Sequence, residues 1–569
     1  MSLSEDAPRG ALSIIRGVSL SEEQGLGALT MPGFLREVTA RFAEREAVVL
    51  HSDDRVVRWS YETLWTRAVA VARALLACGA GKDSRVGVLM TNRPEWLAGV
   101  FGAGLAGAVA VPLSTFSTPP ELEHLLKTSA VSFLLLERAV AKKDFVEMLC
   151  GLEPQLRTCK PGALASSNFP FLRHLAVVDA ATERGGIVSW SDFLAQGDAI
   201  PAALVEATAN GARPSDTGSL FFSSGSTDKP KGILNTHRAM AIQCWRSRRI
   251  YALQDDVRCW SANAFIWSGN FVMALGGTLA AGGTLVLQRI FDPAEALELM
   301  AMERVTFPVA WPHQWAQLEA VPDWRTADLS SLRYVDPSKA VARHPTVSVH
   351  WPEPRWAYGN TETFTVSVGF PSGTPIEIAQ ASHGIPYPGN TLKIVDPETG
   401  AILPRGERGE IAIKGPTLMQ GYVGVPIDET LDAEGFFRTG DGGYVDEKGR
   451  LFWEGRLTDM IKTGGANVSP LEVDGVLATY PGVKIAKTVG IAHENLGEMV
   501  VACIVPQQGH VLEEAAIRDF LKNSLASYKV PRRIVFLRED ELSMTGSAKI
   551  KSGNLRELIS KRLKAESAE

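Results

Sequence analysis

A loop that combines hydroxyl groups, glycines and lysines follows an apolar run near the middle of the sequence. Residues 221–232 read F-F-S-S-G-S-T-D-K-P-K-G. The two aromatic residues predict the end of a strand, and Gly225 and Gly232 let backbone N–H groups approach an anion. The loop is therefore suited to binding phosphate, although its spacing differs from the G-x-x-x-x-G-K-[ST] pattern of a Walker loop. Taken alone, the same composition is also that of a plain turn.

Four later segments carry side chains with complementary chemistry. They read Y-G-N-T-E at 358–362, F-R-T-G-D at 437–441, G-R-L-T-D-M-I-K-T-G-G at 455–465 and L-S-M-T-G-S-A-K-I-K at 542–551. The carboxylate of Glu362 is a suitable ligand for a hard cation that bridges phosphates. The carboxylate of Asp441 can accept hydrogen bonds from two hydroxyl groups. The ammonium group of Lys549 can offset negative charge when a carboxylate attacks a phosphate.

In this order, the five segments resemble the motifs of the adenylate-forming superfamily, which includes acyl-CoA synthetases, luciferases and the adenylation domains of peptide synthetases. The resemblance continues through connecting segments such as 383–390 and 526–531, and it spans residues 34–555. It implies an ATP-dependent carboxylic acid:CoA ligase, an acid–thiol ligase of the AMP-forming type. The acid would react with MgATP to give an acyl-adenylate and pyrophosphate, and the thiol of coenzyme A would then take the acyl group.

The resemblance also implies roles for individual residues. Lys549, Thr227 and Glu362 would be catalytic, and Glu362 would hold Mg²⁺. Tyr358 would pack on adenine, Thr361 would contact the α-phosphate, Asp441 would bind the ribose hydroxyls and Arg456 would contact ribose or phosphate. The implied ATP-binding residues are Ser223, Ser224, Gly225, Ser226, Thr227, Lys231, Tyr358, Gly359, Thr361, Asp441 and Arg456.

The second half-reaction implies a further set of residues. Lys462, Gly464 and Gly465 would bind coenzyme A, and Thr458 would be the hinge about which a small domain rotates. Residues 263–269 read N-A-F-I-W-S-G and lie where acyl-CoA synthetases place a wall of the acid pocket. The implied acid-binding residues are His237, Trp267, Ser268 and Gly269.

The acid itself is predicted to be hydrophobic, either fatty or aryl and alicyclic. Trp267 and the nearby Trp245 favour an apolar acyl group, although a tryptophan at either position is equally compatible with core packing. The segment 263–269 contains no aspartate that could pair with the ammonium group of an amino acid.

The sequence departs from the superfamily pattern at several positions. Asp228 stands in the phosphate loop where the family usually has glycine, and Thr458 replaces the usual Asp or Lys of the hinge. In the lysine loop, Ser543 replaces Pro and Ala548 replaces Gly. An expected Gly-Ala loop on the adenine side is replaced by D-P-S-K-A at 336–340.

The order of elements predicts an α/β fold. Short β-rich runs alternate with segments of helical periodicity at 56–59, 61–76, 85–89, 94–104 and 108–111, which indicates parallel sheets flanked by helices. Between 150 and 212 the pattern weakens and predicts surface excursions. We expect a large N-terminal domain at 1–457, with a small β subdomain, and a small mobile α+β domain at 458–569 that carries the catalytic lysine.

Composition excludes several classes of protein. The 569-residue chain has 45% hydrophobic and 21% charged residues and a formal net charge of −6, so neither disorder nor a nucleic-acid-binding stripe is expected. The apolar stretches 101–113 and 271–287 are shorter than the ~18 residues of a membrane span. The N-terminus lacks a secretion signal and the six cysteines lack metal-site spacing, so we expect a cytoplasmic protein with reduced cysteines, a monomer or a homodimer.

Three alternatives remain open at the level of sequence. The acyl group could pass to a carrier protein instead of coenzyme A, or Asp228 and Ala548 could mark a family member with weakened catalysis. A more distant alternative is a serine hydrolase, because S-x-x-K at 226–229, S-x-N at 268–270 and K-T-G at 462–464 follow the order of penicillin-binding enzymes. Pro230 and Gly232 argue against it, since they break the helix that an S-x-x-K serine requires.

Overall fold

A computed structural model describes residues 10–52, 55–179, 185–223, 230–337, 339–349, 351, 357–379, 381–463, 466–493, 496–525, 529–544 and 550–566. The strands are β1 (Ile14–Arg16), β2 (Glu46–Ser52), β3 (Arg55–Ser60), β4 (Arg85–Leu89), β5 (Val109–Pro112), β6 (Phe133–Glu137), β7 (Ala139–Val140), β8 (Lys143–Asp144), β9 (His174–Val178), β10 (Ile187–Ser189), β11 (Thr217–Phe222), β12 (Gly232–Thr236), β13 (Arg258–Ser261), β14 (Thr284–Leu287), β15 (Phe307–Val309), β16 (Tyr358–Asn360), β17 (Thr365–Gly369), β18 (Ile385–Pro386), β19 (Thr391–Val395), β20 (Gly409–Lys414), β21 (Gly421–Tyr422), β22 (Phe437–Val445), β23 (Leu451–Arg456), β24 (Ile461–Thr463), β25 (Ala466–Val468), β26 (Val483–His493), β27 (Gly497–Pro506) and β28 (Arg533–Phe536).

Helices lie between most of these strands. They are α1 (Met31–Arg41), α2 (Tyr61–Ala77), α3 (Pro94–Leu105), α4 (Pro119–Ser129), α5 (Phe145–Leu152), α6 (Trp190–Ala195), α7 (Ala202–Gly211), α8 (His237–Ile250), α9 (Ser268–Asn270), α10 (Gly277–Ala281), α11 (Pro293–Met302), α12 (Pro312–Glu319), α13 (Ile376–Ala379), α14 (Ile427–Thr430), α15 (Pro470–Leu477), α16 (Glu514–Lys522) and α17 (Ser552–Glu566). A π-helix, Phe271–Gly276, joins α9 to α10. Within the described ranges, no helix is both long and apolar enough to cross a membrane.

Two α/β sheets form the core of the large N-terminal part. The first has the strand order β10-β9-β6-β4-β5-β11-β12-β21, and the second has the order β15-β13-β14-β2-β3. Strands β4, β5, β6, β9 and β10 pair in parallel, as do β13, β14 and β15. The apolar stretches 101–113 and 271–287 are almost entirely buried between these layers. The predicted α/β fold with parallel sheets flanked by helices is confirmed.

The region between 150 and 212 is more ordered than the sequence indicated. Strand β9 extends the first sheet beside β6, β10 pairs in parallel with β9, and α6 and α7 pack against α2. The strands are short and are separated by polar turns, which dilutes the periodicity that would reveal them. This region is therefore an integral edge of the sheet and not a set of surface excursions.

Antiparallel strands build the remaining layers. The order β1-β19-β20-β22-β23 forms one five-stranded sheet, and β16, β17 and β18 form a smaller one. The strands that follow residue 460 pair only with one another in the described residues, as β25-β24-β27-β26 with β28 beside β27. A small β subdomain and a separate C-terminal α+β unit were both predicted. The exact boundary near Thr458 stays a prediction.

Candidate active site

The predicted phosphate loop joins two antiparallel strands, β11 and β12. At its base, the Ser223 N–H donates to the Lys231 carbonyl at 3.0 Å, and the Lys231 N–H donates to Ser223 Oγ at 3.0 Å. His124 of α4 lies with Nε2 2.9 Å from the Pro230 carbonyl oxygen. Strand β11 also pairs in parallel with β5, so the loop follows the carboxyl end of a strand in the parallel sheet, and the antiparallel pairing with β12 is what the sequence did not indicate. Ser224, Gly225, Ser226, Thr227 and Asp228 lie outside the described residues.

Tyr422 connects the predicted metal ligand with the phosphate loop. Its hydroxyl donates to Glu362 Oε1 at 2.7 Å, and Lys231 Nζ lies 5.2 Å from the centre of its ring. Burial and the neighbouring Glu362 carboxylate raise the pKa of Tyr422, so the phenol remains a donor at neutral pH. The Met419 N–H also donates to the Glu362 carbonyl at 2.7 Å. The structure thus brings Lys231 and Glu362 to one place.

The carboxylate of Glu362 fits the expected cation. Mg²⁺ usually takes one or two protein carboxylates and completes its shell with phosphate and water oxygens. Glu362 is half-buried, and Tyr422 holds one of its oxygens. An oriented carboxylate beside a phosphate-binding loop suits that ligand set. Tyr422 was not among the residues that the sequence predicted for the site.

Asp441 and Tyr358 form a buried pair at the predicted nucleoside site. Each is 4% exposed, and the Tyr358 hydroxyl donates to Asp441 Oδ2 at 2.7 Å. Arg456 faces Asp441 across the β22–β23 ladder. Its Nε lies 3.1 Å from Asp441 Oδ1, and its Nη1 donates to the Thr439 carbonyl at 2.6 Å. Three predicted ATP-binding residues therefore meet.

One oxygen of this pair remains available for a ligand. Asp441 Oδ1 is buried and has no well-aligned hydrogen-bond donor among the described residues, although Arg456 reaches it as an ion pair and the Trp453 side chain lies close enough to help lower the pKa of Asp441. Burial raises the pKa of Asp441, and the Arg456 charge and the Tyr358 hydroxyl partly oppose that increase. A buried acceptor without a donor is costly, and a ribose hydroxyl would satisfy it.

The segment between Tyr358 and Glu362 is shaped by close backbone packing. A Cβ on Gly359 would meet the Thr365 carbonyl oxygen at 1.7 Å, so only glycine fits. Phe364 and Thr365 both have positive φ, +46° and +83°, a conformation that costs a β-branched residue in particular. Gln243 of α8 is fully buried and donates to the Val366 carbonyl at 2.7 Å. This hydrogen bond attaches the strained turn at Phe364 and Thr365 to α8.

The predicted wall of the acid pocket lies after β13. Trp267 is half-buried, Ser268 is buried at the start of α9, and a Cβ on Gly269 would meet no atom within 4 Å. Phe271, directly after the wall, packs edge-to-face on Phe221 at 5.7 Å and on Phe364 at 6.1 Å. These ring contacts join the wall to the phosphate loop and to the Tyr358–Glu362 segment.

His237 and Trp245 are placed in the core. Burial lowers the pKa of His237 to about 4, and its Nδ1 accepts a hydrogen bond from the Met31 N–H at 3.4 Å. Trp245 is 2% exposed, packs edge-to-face on Phe34 at 4.8 Å and donates from Nε1 to the Ala28 carbonyl at 3.0 Å. Of the two tryptophans, only Trp267 lies on the wall. Contact between His237 and the acid stays a prediction.

The hinge and the coenzyme A segment are partly described. Thr458 is exposed, and Arg556 of α17 lies with Nη2 3.5 Å from its carbonyl oxygen and 3.4 Å from Asp459 Oδ1. Lys462 is exposed, and its N–H donates to Glu498 Oε2 at 2.8 Å. Gly464, Gly465 and Lys549 lie outside the described residues. The base of the lysine loop is closed by a bridge between Met544 and Ile550.

Comparison with known families decides the identity of this arrangement. The profile of AMP-binding enzymes matches residues 35–423, and the profile of their C-terminal domain matches residues 472–549. The chain belongs to the AMP-binding enzyme family. It is accordingly an adenylate-forming enzyme, an acid–thiol ligase of the acyl-CoA synthetase type. Membership in this AMP-binding family does not support the penicillin-binding hydrolase alternative.

Relatives of this AMP-binding enzyme are named as CoA ligases. A feruloyl-CoA synthase of Amycolatopsis is 30% identical over 528 residues, which cover 91% of this chain and 96% of that protein. The indoleacetate–CoA ligase of Aromatoleum aromaticum is 30% identical over 517 residues, with 88% and 94% coverage. The solved structure of the anthranilate CoA ligase AuaEII in complex with anthranoyl-AMP has a TM-score of 0.75 at 25% identity, covering 95% of this chain and 98% of that one.

Proposed function

We propose that this enzyme activates a hydrophobic carboxylic acid that contains a ring, aryl or alicyclic, and transfers it to coenzyme A. The observation that carries the proposal is the wall at residues 263–269. It contains no charged side chain, and Gly269 faces open space. Because the wall is joined through Phe271 to the phosphate loop, an acid bound there would present its carboxylate to ATP. The names of the feruloyl-, indoleacetate- and anthranilate-activating relatives support a ring.

In the first half-reaction, the acid carboxylate attacks the α-phosphate of ATP and pyrophosphate leaves. Asp441 Oδ1 would accept a ribose hydroxyl, and Tyr358 would pack beside adenine. Lys231 and the hydroxyl groups of residues 223–227 would bind the phosphates. Lys549 would offset the charge on the attacking and bridging oxygens. Mg²⁺, held by Glu362, would supply charge neutralisation on the phosphate oxygens.

In the second half-reaction, the thiol of coenzyme A takes the acyl group and AMP leaves. Rotation of the domain at 458–569 about Thr458 would withdraw Lys549 and bring Lys462, Gly464 and Gly465 to the thiol channel. The exposed positions of Thr458 and Lys462 support this assignment. A cytoplasmic location and a role in fatty-acid metabolism remain predictions from the sequence.

The test is a screen of acids by pyrophosphate release, with and without coenzyme A. Feruloyl-like, indolyl and alicyclic acids are expected to give the highest kcat/KM, and AMP is expected to be released with coenzyme A without a carrier protein. Failure of every acid from acetate to long fatty and aryl acids would contradict the proposal. Pyrophosphate release that yields no acyl-CoA would favour transfer to a carrier protein.

Filling the pocket provides a second test. Gly269→Leu is expected to lower kcat/KM for ring acids by ~10-fold or more, because the new side chain would occupy open space without a clash in the protein. The KM for ATP is expected to stay within about twofold. Gly475→Leu is the control, since Gly475 in α15 also has open space around it and lies outside the pocket.

A further inference from the structure

Asn92 ties the acid-pocket wall to the other sheet. It follows β4 in the eight-stranded sheet, whereas the wall follows β13 in the five-stranded sheet. Asn92 is 5% exposed, its Nδ2 donates to the Asn263 carbonyl at 2.8 Å, and its Oδ1 accepts from the Phe265 N–H at 2.9 Å. The side-chain amide therefore pairs with two backbone groups of the wall as a neighbouring strand would.

Further amides connect Asn263, where the wall begins, with Asn270 directly after it. The Asn263 carbonyl accepts a second hydrogen bond from Asn270 Nδ2 at 2.6 Å, and Asn270 Oδ1 accepts one from Ser261 Oγ at 2.8 Å. Gln314 Nε2 lies 3.3 Å from Asn263 Oδ1. Each bond is buried or partly buried, where it resists competition from water. Hydrogen bonds thus fix the segment at Asn263, Phe265 and Asn270, whereas Gly269, which the proposed function assigns to the acid pocket, has open space around it.

Among these hydrogen bonds of the described residues, those of Asn92 cross between the two sheets. Ser261 is the last residue of β13, and Asn270 and Gln314 lie on α9 and α12, which follow β13 and β15, so all three belong to the part of the fold that carries the wall. The phosphate loop follows β11, which belongs to the same sheet as β4. Asn92 consequently supplies directional hydrogen bonds that, together with the packing of Phe271 on Phe221, hold the distance between the wall and the phosphate site, and a positional error of about 1 Å can cost 10²-fold in rate.

We propose that Asn92 is a positioning residue that sets the width of the acid pocket and thereby selects rigid ring acids over flexible fatty acids. This selectivity rests on the proposed function. A rigid wall favours a rigid acid whose shape is already complementary to it, because that acid loses little conformational freedom on binding. A flexible chain loses rotational freedom when it binds. When the hydrogen bonds of Asn92 to the wall are removed, a ring acid loses the binding free energy that its complementary surface provided. A fatty acid loses little binding free energy.

Two substitutions separate the two hydrogen bonds of Asn92. Asn92→Asp keeps the acceptor for the Phe265 N–H but places a carboxylate against the Asn263 carbonyl, and Asn92→Leu removes both bonds at similar volume. Asn390→Leu is the matched control, because Asn390 is 2% exposed and donates to the Ser367 carbonyl at 2.9 Å away from the wall. In both Asn92 variants, the KM for the ring acid is expected to rise ~10-fold while the KM for ATP stays within about twofold.

The ratio of kcat/KM for ring acids to kcat/KM for fatty acids is expected to fall in the Asn92 variants and to stay unchanged in Asn390→Leu. A parallel rise in the KM values for ATP and acid, or an unchanged selectivity ratio, would overturn the proposal. Amide hydrogen exchange provides a readout that needs no turnover. Peptides that cover 263–270 are expected to exchange faster in Asn92→Asp and Asn92→Leu than in the wild type, and no faster in Asn390→Leu.

The two proposals fail in different ways. If the wild type activates no acid, the proposed function is wrong, and unchanged exchange over 263–270 would independently show that Asn92 does not hold the wall. If the wild type prefers ring acids and the Asn92 variants keep that preference, the proposed function stands and only the role of Asn92 is rejected. Should Asn92→Leu not fold, Asn92→Asp decides, since it retains one hydrogen bond.

Discussion

Single residues at the nucleoside site already carry much of the expected chemistry. Asp441 is buried with one oxygen paired to Tyr358 and the other available for a ligand hydroxyl. The Tyr422 hydroxyl donates a hydrogen bond to the Glu362 carboxylate, although 60 positions separate the two residues in the sequence. The side chains that are proposed to bind the nucleotide are therefore already oriented by other side chains in the absence of a ligand.

The charge of Arg456 should control the pH dependence of ATP use. Burial raises the pKa of Asp441 above its usual 3.8, and Arg456 opposes the increase. As pH falls through that raised pKa, Asp441 gains a proton, loses acceptor capacity and binds ribose less well. Arg456→Met removes the opposing charge, so the acid limb of the kcat/KM profile for ATP is expected to move to higher pH.

The position of that limb is the readout, because the loss of a contact with ATP would lower kcat/KM equally at every pH. Arg408→Met serves as control, since Arg408 pairs with Glu454 and not with Asp441. A limb that stays at the wild-type pH in Arg456→Met would reject the coupling between Arg456 and Asp441.

At the scale of elements, α8 connects the N-terminal segment with the turn that follows the predicted ATP-binding segment 358–362. Its Gln243 holds the strained turn at Phe364 and Thr365. One helical turn further on, Arg246 Nε donates to Glu23 Oε1 at 2.9 Å, and its Nη2 donates to the Pro388 carbonyl at 3.1 Å. Because Gln243 and Arg246 are one turn apart on the same face of α8, that face of the helix contacts the strained turn, the N-terminal segment and Pro388.

The ion pair between Glu23 and Arg246 is almost fully removed from water, with side-chain exposures of 5% and 2%. Glu23→Ala would leave the arginine charge buried without its partner, which typically costs about 3–5 kcal/mol. We expect a lower thermal midpoint by calorimetry and earlier proteolysis at the N-terminal segment. Glu22→Ala, at an exposed neighbour, should change the midpoint little. Equal midpoints for the two variants would exclude a stabilising role for the pair.

At the scale of the whole molecule, the lysine loop belongs to a unit whose strands form a sheet of their own. The helix that follows the loop, α17, contacts the hinge segment through Arg556. The same unit carries the Lys462 segment in β24. If this unit rotates, the lysine and the coenzyme A segment serve different half-reactions.

Replacing the lysine should therefore separate the two half-reactions. Lys549→Ala is expected to slow pyrophosphate release by ~10²–10³-fold, the usual cost of losing one group that stabilises developing charge. Acyl-CoA formation from a synthetic acyl-adenylate should be unchanged. Lys551→Ala, two residues away, is the control and should retain both activities. Equal loss of both half-reactions in Lys549→Ala would contradict a rotating domain with separate functions.

Much of the fold was predictable because its signals are local. The strand at 85–89 and the helices that begin at Tyr61 and Pro94 were all predicted to within a residue or two, since hydrophobic periodicity and prolines mark such boundaries. The short strands β9 and β10 were missed, because three to five residues between polar turns carry little periodicity. The hairpin at the phosphate loop was also missed, since strand direction depends on pairing partners.

The sequence by itself determined the family and the order of its motifs, because each motif is a short run whose chemistry resides in neighbouring residues. Only the tertiary structure decided which side chains meet. Tyr358 and Asp441 are 83 positions apart, and Asn92 and Asn263 are 171 apart. Such pairs arise from strand order and register, and the spacing of residues along a chain contains no record of either.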